Sequence, residues 1–191
     1  MSTAHEAKRK AILDGAAEVF LRSGFDAGTT KEVAAEVGLS QPAIYHYVGS
    51  KADLLREISV EVGRDMMAAL DAGLASGDTP AEQLRGIIYA YTLAVVHNLR
   101  SFAVFWLEQR SLEPDVRAKL REDEREFVRR VARLVAALQR QGRLPDGPPP
   151  AVAQAIMSMP SWMYHWYRPN GPLATEEVAE LYCALIGLAK D

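Results

Sequence analysis

Thr29-Thr30-Lys31-Glu32-Val33-Ala34-Ala35-Glu36-Val37-Gly38-Leu39-Ser40-Gln41-Pro42-Ala43-Ile44-Tyr45-His46-Tyr47-Val48-Gly49-Ser50-Lys51 is the stretch whose reading decides the fold. Thr29-x-x-Glu32 has the spacing of a capping box, so a short helix starts there with Val33, Ala34 and Val37 inward, and it stops at Gly38. Ser40 caps a second short helix that tolerates Pro42 in its first turn, where a backbone N–H has no helical partner, and Ile44 is its inward residue. Ser50-x-x-Asp53 opens a longer helix that continues through Leu54, Leu55 and Ile58 to about Leu74. Upstream, Ile12, Ala16, Val19 and Phe20 form one stripe of a helix from about His5 to Ser23, with Gly24 placed to end it. Three short helices, the second and third nearly adjacent across Gly38, describe a helix-turn-helix. The outward face of the third offers Gln41, Ala43, Tyr45, His46 and Tyr47, side chains suited to base edges, thymine methyls and phosphates.

Helical spacing of apolar residues continues downstream and no segment alternates like a strand, so the expected fold class is all-α. Further helices are expected at about 80–99, 102–112, 114–141, 150–168 and 174–189, separated by Asn98–Ser101, Glu113-Pro114, the Gly142–Pro150 stretch and Pro169-Asn170-Gly171-Pro172. The division expected is an N-terminal helix-turn-helix domain, 1–56, and a C-terminal helical domain, 57–191. The 191 residues are 49% apolar and 25% charged, the profile of a globular chain with a continuous core. Twenty-two Lys and Arg against 25 Asp and Glu give a net charge of −3, which excludes a generally basic nucleic-acid coat or a polybasic membrane binder. Within 1–56 the seven cations and seven carboxylates cancel, so any affinity for DNA comes from local placement of charge and from pairing of two chains. Cys183 stands alone and reads as a small buried hydrophobe, and no Cys/His cluster has zinc spacing; neither a metal nor a cofactor is expected. Met1 to Glu6 lack the apolar core of a secretory signal and no apolar run approaches transmembrane length, so the expected location is the cytoplasm, without membrane contact.

The run Ile12-Leu13…Ala16-Ala17…Phe20…Gly24-Phe25…Thr29-Thr30…Val33-Ala34…Gly38-Leu39-Ser40…Ile44-Tyr45-His46-Tyr47…Ser50-Lys51…Leu54-Leu55 resembles the DNA-binding domain of TetR-type transcriptional repressors over about residues 8–58. The family often has Gly where Pro42 stands and Phe where Val48 stands. The resemblance implies that Thr30, Tyr47 and Lys51 hold phosphates, helped by the helix start near Ser50. It implies that Gln41, Pro42, Ala43, Tyr45 and His46 face the major groove, with Ser40 completing the DNA-binding set. Gln41 suits adenine, and Pro42 and Ala43 suit thymine methyls. Two readings stay open for Tyr45, base contact or buttress of the turn, and for Lys8-Arg9-Lys10, DNA backbone contact or a solvated helix start.

Beyond residue 56 lie all three tryptophans and most methionines. Met66, Tyr89, Phe102, Phe105, Trp106, Gln109, Trp162, Met163 and Trp166 are the candidate effector pocket, soft and aromatic side chains with a few polar groups; plain core packing is the alternative for each. The ending Trp162-x-x-x-Trp166-Tyr167-Arg168-Pro169-x-Gly171 is similar to C-terminal domains of TetR-type regulators of lipid and sterol breakdown, which implies a hydrophobic or acyl-CoA-type effector. The arginines from Arg117 to Arg133 suit either CoA phosphates or a solvated helix face laced by pairs such as Glu126–Arg130. The resemblance also implies a homodimer through the last two helices, seamed by Val152, Ala155, Ile156 and Met159 on one and Val178, Leu181, Tyr182, Leu185 and Leu188 on the other. Such a dimer sets two reading helices about 34–36 Å apart for a palindromic double-stranded operator. The function expected is a DNA-binding regulator, a repressor released by its ligand. The alternative is an enzyme or carrier for a hydrophobic ligand, but no nucleophile elbow, metal cluster, dinucleotide loop or P-loop is present, and no catalytic residue is assigned.

Overall fold

A computed structural model describes residues 3–189. Met1 and Ser2, the first two residues of the stretch read as lacking a secretory core, lie outside the described residues. The helices are α1 (Thr3–Ser23), α2 (Thr30–Glu36), α3 (Gln41–Tyr47), α4 (Lys51–Leu74), α5 (Pro80–His97), α6 (Leu99–Leu107), α7 (Pro114–Arg140), α8 (Pro149–Ser161), α9 (Met163–Trp166) and α10 (Thr175–Leu185), with a 3-10 turn at Gln109–Ser111. Among the described residues there is no strand, and the fold is all-α as the periodicity implies. No single described helix is long and apolar enough to cross a membrane.

Two compact units form: residues 1–62 with 100–120, and residues 63–99 with 121–191. In the first unit the expected capping box is present: Glu32 N–H donates to the Thr29 hydroxyl at 3.2 Å and Thr29 N–H donates to the Glu32 carboxylate at 2.8 Å. The Thr29 hydroxyl, bonded to the same carboxylate, holds the Glu32 pKa below its usual value. α2 ends in a Schellman turn, with Gly38 at φ 66° and bonds from Gly38 N to Ala35 O and from Leu39 N to Ala34 O. That left-handed residue lets α3 follow α2 within a few residues. Ile12, Phe20, Val33, Ile44, Leu54, Leu55 and Ile58 are fully enclosed; each such side chain contributes on the order of 1.5–3 kcal/mol.

α6 is buried without a break from Ser101 to Phe105, as befits a helix that is apolar all round. The sequence places this helix at 102–112. It begins at Leu99, because Asn98 alone leaves helical geometry, and it gives way to the 3-10 turn after Leu107. Asn98 leaves through its side chain, which donates to Asp65 at 2.8 Å.

The second unit is organised about α5, against which α8, α9 and α10 pack. At α4 and α5 the approach is very close: a Cβ on Gly73 would lie 2.3 Å from Ile87 N, and one on Gly86 would lie 1.8 Å from Ser76 Oγ. The Arg85 guanidinium donates to Leu188 O at 3.2 Å and pairs with Glu180, tying α10 and its following turn to α5. Cys183 is fully buried on α10, as read from the sequence, and burial pushes its thiol pKa up to about 11.

The single helix expected over 150–168 is two, α8 and α9, and this is a correction. Pro160 removes an N–H and crowds the carbonyl one turn back, while Ser158 and Ser161 turn their hydroxyls onto Gln154 O and Met157 O, so the helix breaks at Trp162. The helix expected over 174–189 ends at Leu185, closed by a Schellman turn at Gly187 (φ 72°). Of the two seams read from periodicity, Ile156, Val178, Tyr182 and Leu188 are buried within the chain itself, whereas Ala155, Leu181 and Leu185 are exposed.

Candidate nucleic-acid interface and ligand site

α3 is a two-turn helix anchored by one residue. Ile44 is fully buried and Val48 nearly so, which turns Gln41, Pro42, Tyr45 and His46 outward. Ala43 and Tyr47 are half-buried at the edges of that face. The Ser40 side chain accepts from Ala43 N at 3.4 Å, the expected cap, although Ser40 itself remains exposed. The Tyr47 ring rests against the His5 ring of α1, with centroids 4.8 Å apart.

Two residues with an expected phosphate role have occupied polar groups here. Lys51 donates its ammonium to three backbone carbonyls, Phe25 O at 2.7 Å, Asp26 O at 3.0 Å and Gly28 O at 3.1 Å. The same ammonium lies 4.5 Å from the centre of the Phe25 ring. An ammonium has three protons, and three carbonyls take them all. Thr30 is only 7% exposed; its hydroxyl accepts from Gln41 Nε2 at 2.9 Å and is 3.1 Å from the Tyr45 hydroxyl. Tyr45 thus stands 48% exposed with its phenol oxygen tethered to α2.

Charge pairing singles out two cations the sequence reading did not single out alone. Arg9 pairs with Glu57 at 2.8 Å, Lys10 with Asp14 at 2.5 Å, Arg22 with Glu36 at 3.2 Å and Arg56 with Asp53 at 3.1 Å. The Ser50 hydroxyl, then Arg56, holds the Asp53 carboxyl below its ordinary pKa. With Lys51 committed to its three carbonyls, Lys8 and Lys31 are the cations without an ion pair among described residues 3–62. Lys31 is exposed in the first turn of α2, beside Thr30. Its neutral-looking context, a cation one residue from a carboxylate, hid it; only the side-chain pairing distinguishes it.

The nine candidate pocket residues are divided. Phe102, Phe105, Trp106 and Gln109 belong to the first unit, and Met66, Tyr89, Trp162, Met163 and Trp166 to the second. Phe102 and Phe105 are core residues, and Trp106 is half-buried with its indole Nε1 enclosed and without a hydrogen-bond partner. Met66 and Met163 are buried and Tyr89 and Gln109 half-buried, while Trp162 and Trp166 are 56% and 44% exposed. In the second unit an open groove of about 610 Å³ runs along α7 to the start of α8. Arg125, Arg129 and Arg133 edge it at one-turn intervals, Val128, Ala132 and Ala136 form its apolar wall, and none of the nine candidates lines it. Arg129 pairs with Glu126, whereas Arg125 and Arg133 have no carboxylate partner among the described residues.

In the distinctive Trp-Tyr-Arg-Pro segment the buried residue is Tyr167. Its hydroxyl donates to Leu173 O at 3.1 Å and lies 3.0 Å from Thr175 Oγ1, closing the loop between α9 and α10.

Residues 12–58 match the family described as bacterial regulatory proteins, tetR family, and residues 77–188 match the tetracyclin repressor-like C-terminal domain. The chain is 26% identical to the HTH-type transcriptional repressor KstR2 of Mycobacterium tuberculosis over 188 residues, covering 96% of this chain and 94% of that protein. A crystal structure of the TetR family transcriptional regulator PfmR from Thermus thermophilus superposes with a TM-score of 0.82 at 31% identity, covering 94% of this chain and 98% of that one. The structure of AibR in complex with isovaleryl coenzyme A and operator DNA has the same fold, with a TM-score of 0.78 at 22% identity, covering 95% of this chain and 97% of that one.

Proposed function

The chain belongs to the TetR family of bacterial transcriptional regulators and is not an enzyme, and we propose that it is a homodimeric repressor released from its operator by an acyl-thioester-type effector. The observation that carries the DNA-reading half is α3 itself: Ile44 fixes the helix from beneath and leaves Gln41, Pro42, Tyr45 and His46 outward together. Gln41 offers an amide to an adenine edge, Pro42 and Ala43 offer apolar surface to thymine methyls, and Tyr45 and Tyr47 offer hydroxyls to the backbone. Lys31 and Lys8 supply the unpaired charge for phosphates. Lys51 instead fixes the loop 25–28 from which α2 starts.

The dimer reading is supported by Leu181 and Leu185, one turn apart on α10 and 51% and 66% exposed, beside the exposed Ala184. A single chain leaves this apolar strip in water, and a second copy would cover it. A pair of copies also gives two α3 helices for the two halves of a palindrome.

For the effector, KstR2 is named a repressor and AibR is described with isovaleryl coenzyme A and operator DNA. Both support a thioester. The unpartnered Trp106 N–H suits an acceptor on an apolar ligand, so Phe102, Phe105 and Trp106 are the members of the candidate set retained first. Release follows when the ligand binds more tightly to a form of the dimer with mis-spaced α3 helices than to the DNA-bound form.

The test is in two stages. Selection from genomic fragments is expected to yield a palindromic site bound by the wild-type protein, and Gln41→Ala is expected to relax selectivity at one base per half-site. Thermal-shift titrations with acyl-CoA esters, the matching free acids and free coenzyme A should then give a shift with the esters and release of the selected DNA. No selected site would remove the regulator's reading face as assigned. A shift with free acids alone would replace the thioester by a fatty acid.

A further inference from the structure

We infer that Thr30 is a positioning residue that sets the hydrogen-bonding pattern α3 presents to DNA, an inference that rests on the DNA-reading assignment above. Gln41 and Tyr45 are four residues apart on α3, so their side chains rise from one face, one turn apart. Both reach the same atom, the Thr30 hydroxyl oxygen on α2, at 2.9 Å and 3.1 Å. Thr30 is itself buried, so its hydroxyl is occupied by its own neighbours and not by a phosphate.

The donors and acceptors then fall in one direction. A hydroxyl has one proton and accepts through its lone pairs. The Thr30 oxygen accepts a proton of the Gln41 amide nitrogen. Its own proton, enclosed, has the Tyr45 oxygen within reach, and leaving it unpaired would carry the full cost of desolvation. Tyr45 therefore accepts from Thr30 and turns its own proton outward. The chain runs from the Gln41 N–H through Thr30 to Tyr45, each bond polarising the next. Gln41 is left with its carbonyl oxygen and its second amide proton free. That pair complements the N6 donor and N7 acceptor of adenine. Tyr45 is left as a donor, which suits a phosphate oxygen.

The experiment uses the full chain and an operator obtained by selection. Variants are titrated by fluorescence anisotropy against four versions of that operator, differing at the base where Gln41→Ala loses discrimination, and against scrambled DNA of equal length. Thr30→Val, nearly the same shape without the hydroxyl, is expected to lose about tenfold of the discrimination at that base while affinity for scrambled DNA changes less than about twofold. Thr30→Ser restores the discrimination. In a Gln41→Ala background Thr30→Val has no further effect at that base, because Thr30 acts through Gln41. Tyr45→Phe provides a second reading should Thr30→Val fold poorly. Without the phenol oxygen, the Thr30 proton turns to the Gln41 carbonyl and the amide rotates to present only N–H groups. Preference at that base should then move from adenine toward guanine, whose O6 and N7 both accept.

An unchanged base preference in Thr30→Val or in Tyr45→Phe overturns the inference. So does an equal loss on operator and scrambled DNA with a shallower salt dependence, the signature of a direct phosphate ligand. A wild-type protein that selects no operator overturns the DNA-reading assignment and the inference with it, whereas wild-type selection with indifferent Thr30 variants overturns the inference alone.

Discussion

Lys51 illustrates how a residue's type and position leave its task open. A lysine at the start of a long helix after a reading helix has the right charge and place for a phosphate. In the folded chain its ammonium closes the 25–28 loop by three hydrogen bonds and covers the Phe25 ring. Lys51→Ala is therefore expected to lower the thermal midpoint by several degrees, from the loss of hydrogen bonds to a charged group, while leaving the salt slope of operator binding near the wild-type value. Lys31→Ala, which disturbs no pair, should do the opposite and lower the slope by about 0.9 for each phosphate lost per half-site. The two variants are compared by thermal melts and by binding from low to high salt. Cys183 makes a simpler case. With a pKa pushed up to about 11 its thiolate fraction at pH 8 is about one in a thousand, and the side chain is enclosed. A thiol reagent at pH 8 should leave the native protein unmodified and label it stoichiometrically in denaturant; fast labelling of the native chain would contradict that burial.

At the scale of elements, the helix starts and the first three helices were legible because their signals are local. Thr29-x-x-Glu32, Ser40 and Gly38 act within one turn of themselves, and each is found acting so. The end of α8 was not legible, since Pro160 competes with a strong apolar period and the outcome depends on where Ser158 and Ser161 send their hydroxyls. The Gly73–Gly86 approach was also hidden: Ile87 and Ser76 become their neighbours only once α4 and α5 meet. Gly86→Ala is expected to destabilise the protein by about 1–3 kcal/mol despite the higher helix propensity of alanine, because the added methyl meets Ser76 and the Gly73 carbonyl. Urea denaturation checks the sign; a gain in stability would mean that the helices separate without cost.

For the whole molecule, the open question is which apolar faces one chain satisfies. Val178, Tyr182 and Leu188 on and after α10 are covered by the chain's own residues, and Leu181 and Leu185 are not. Leu181→Glu with Leu185→Glu should accordingly give a monomer by analytical ultracentrifugation. It should retain cooperative unfolding but bind a selected palindrome at least about a hundredfold more weakly, since one reading helix then acts alone. A double variant that remains dimeric would place the pairing face elsewhere.

The amino-acid sequence by itself determined the helical class, the three-helix reading head and the identity of its outward face, because caps, turns and 3.6-residue periodicity act between residues close in the chain. It also carried the family's signature at both ends of the protein. Tertiary structure alone decided which polar groups on that face remain free. Thr30 and Lys51 meet partners eleven to twenty-six residues away, Gln41 in one case and the Phe25, Asp26 and Gly28 carbonyls in the other. A hydrogen bond is formed between atoms brought to within about 3 Å, and no spacing along the chain specifies that meeting.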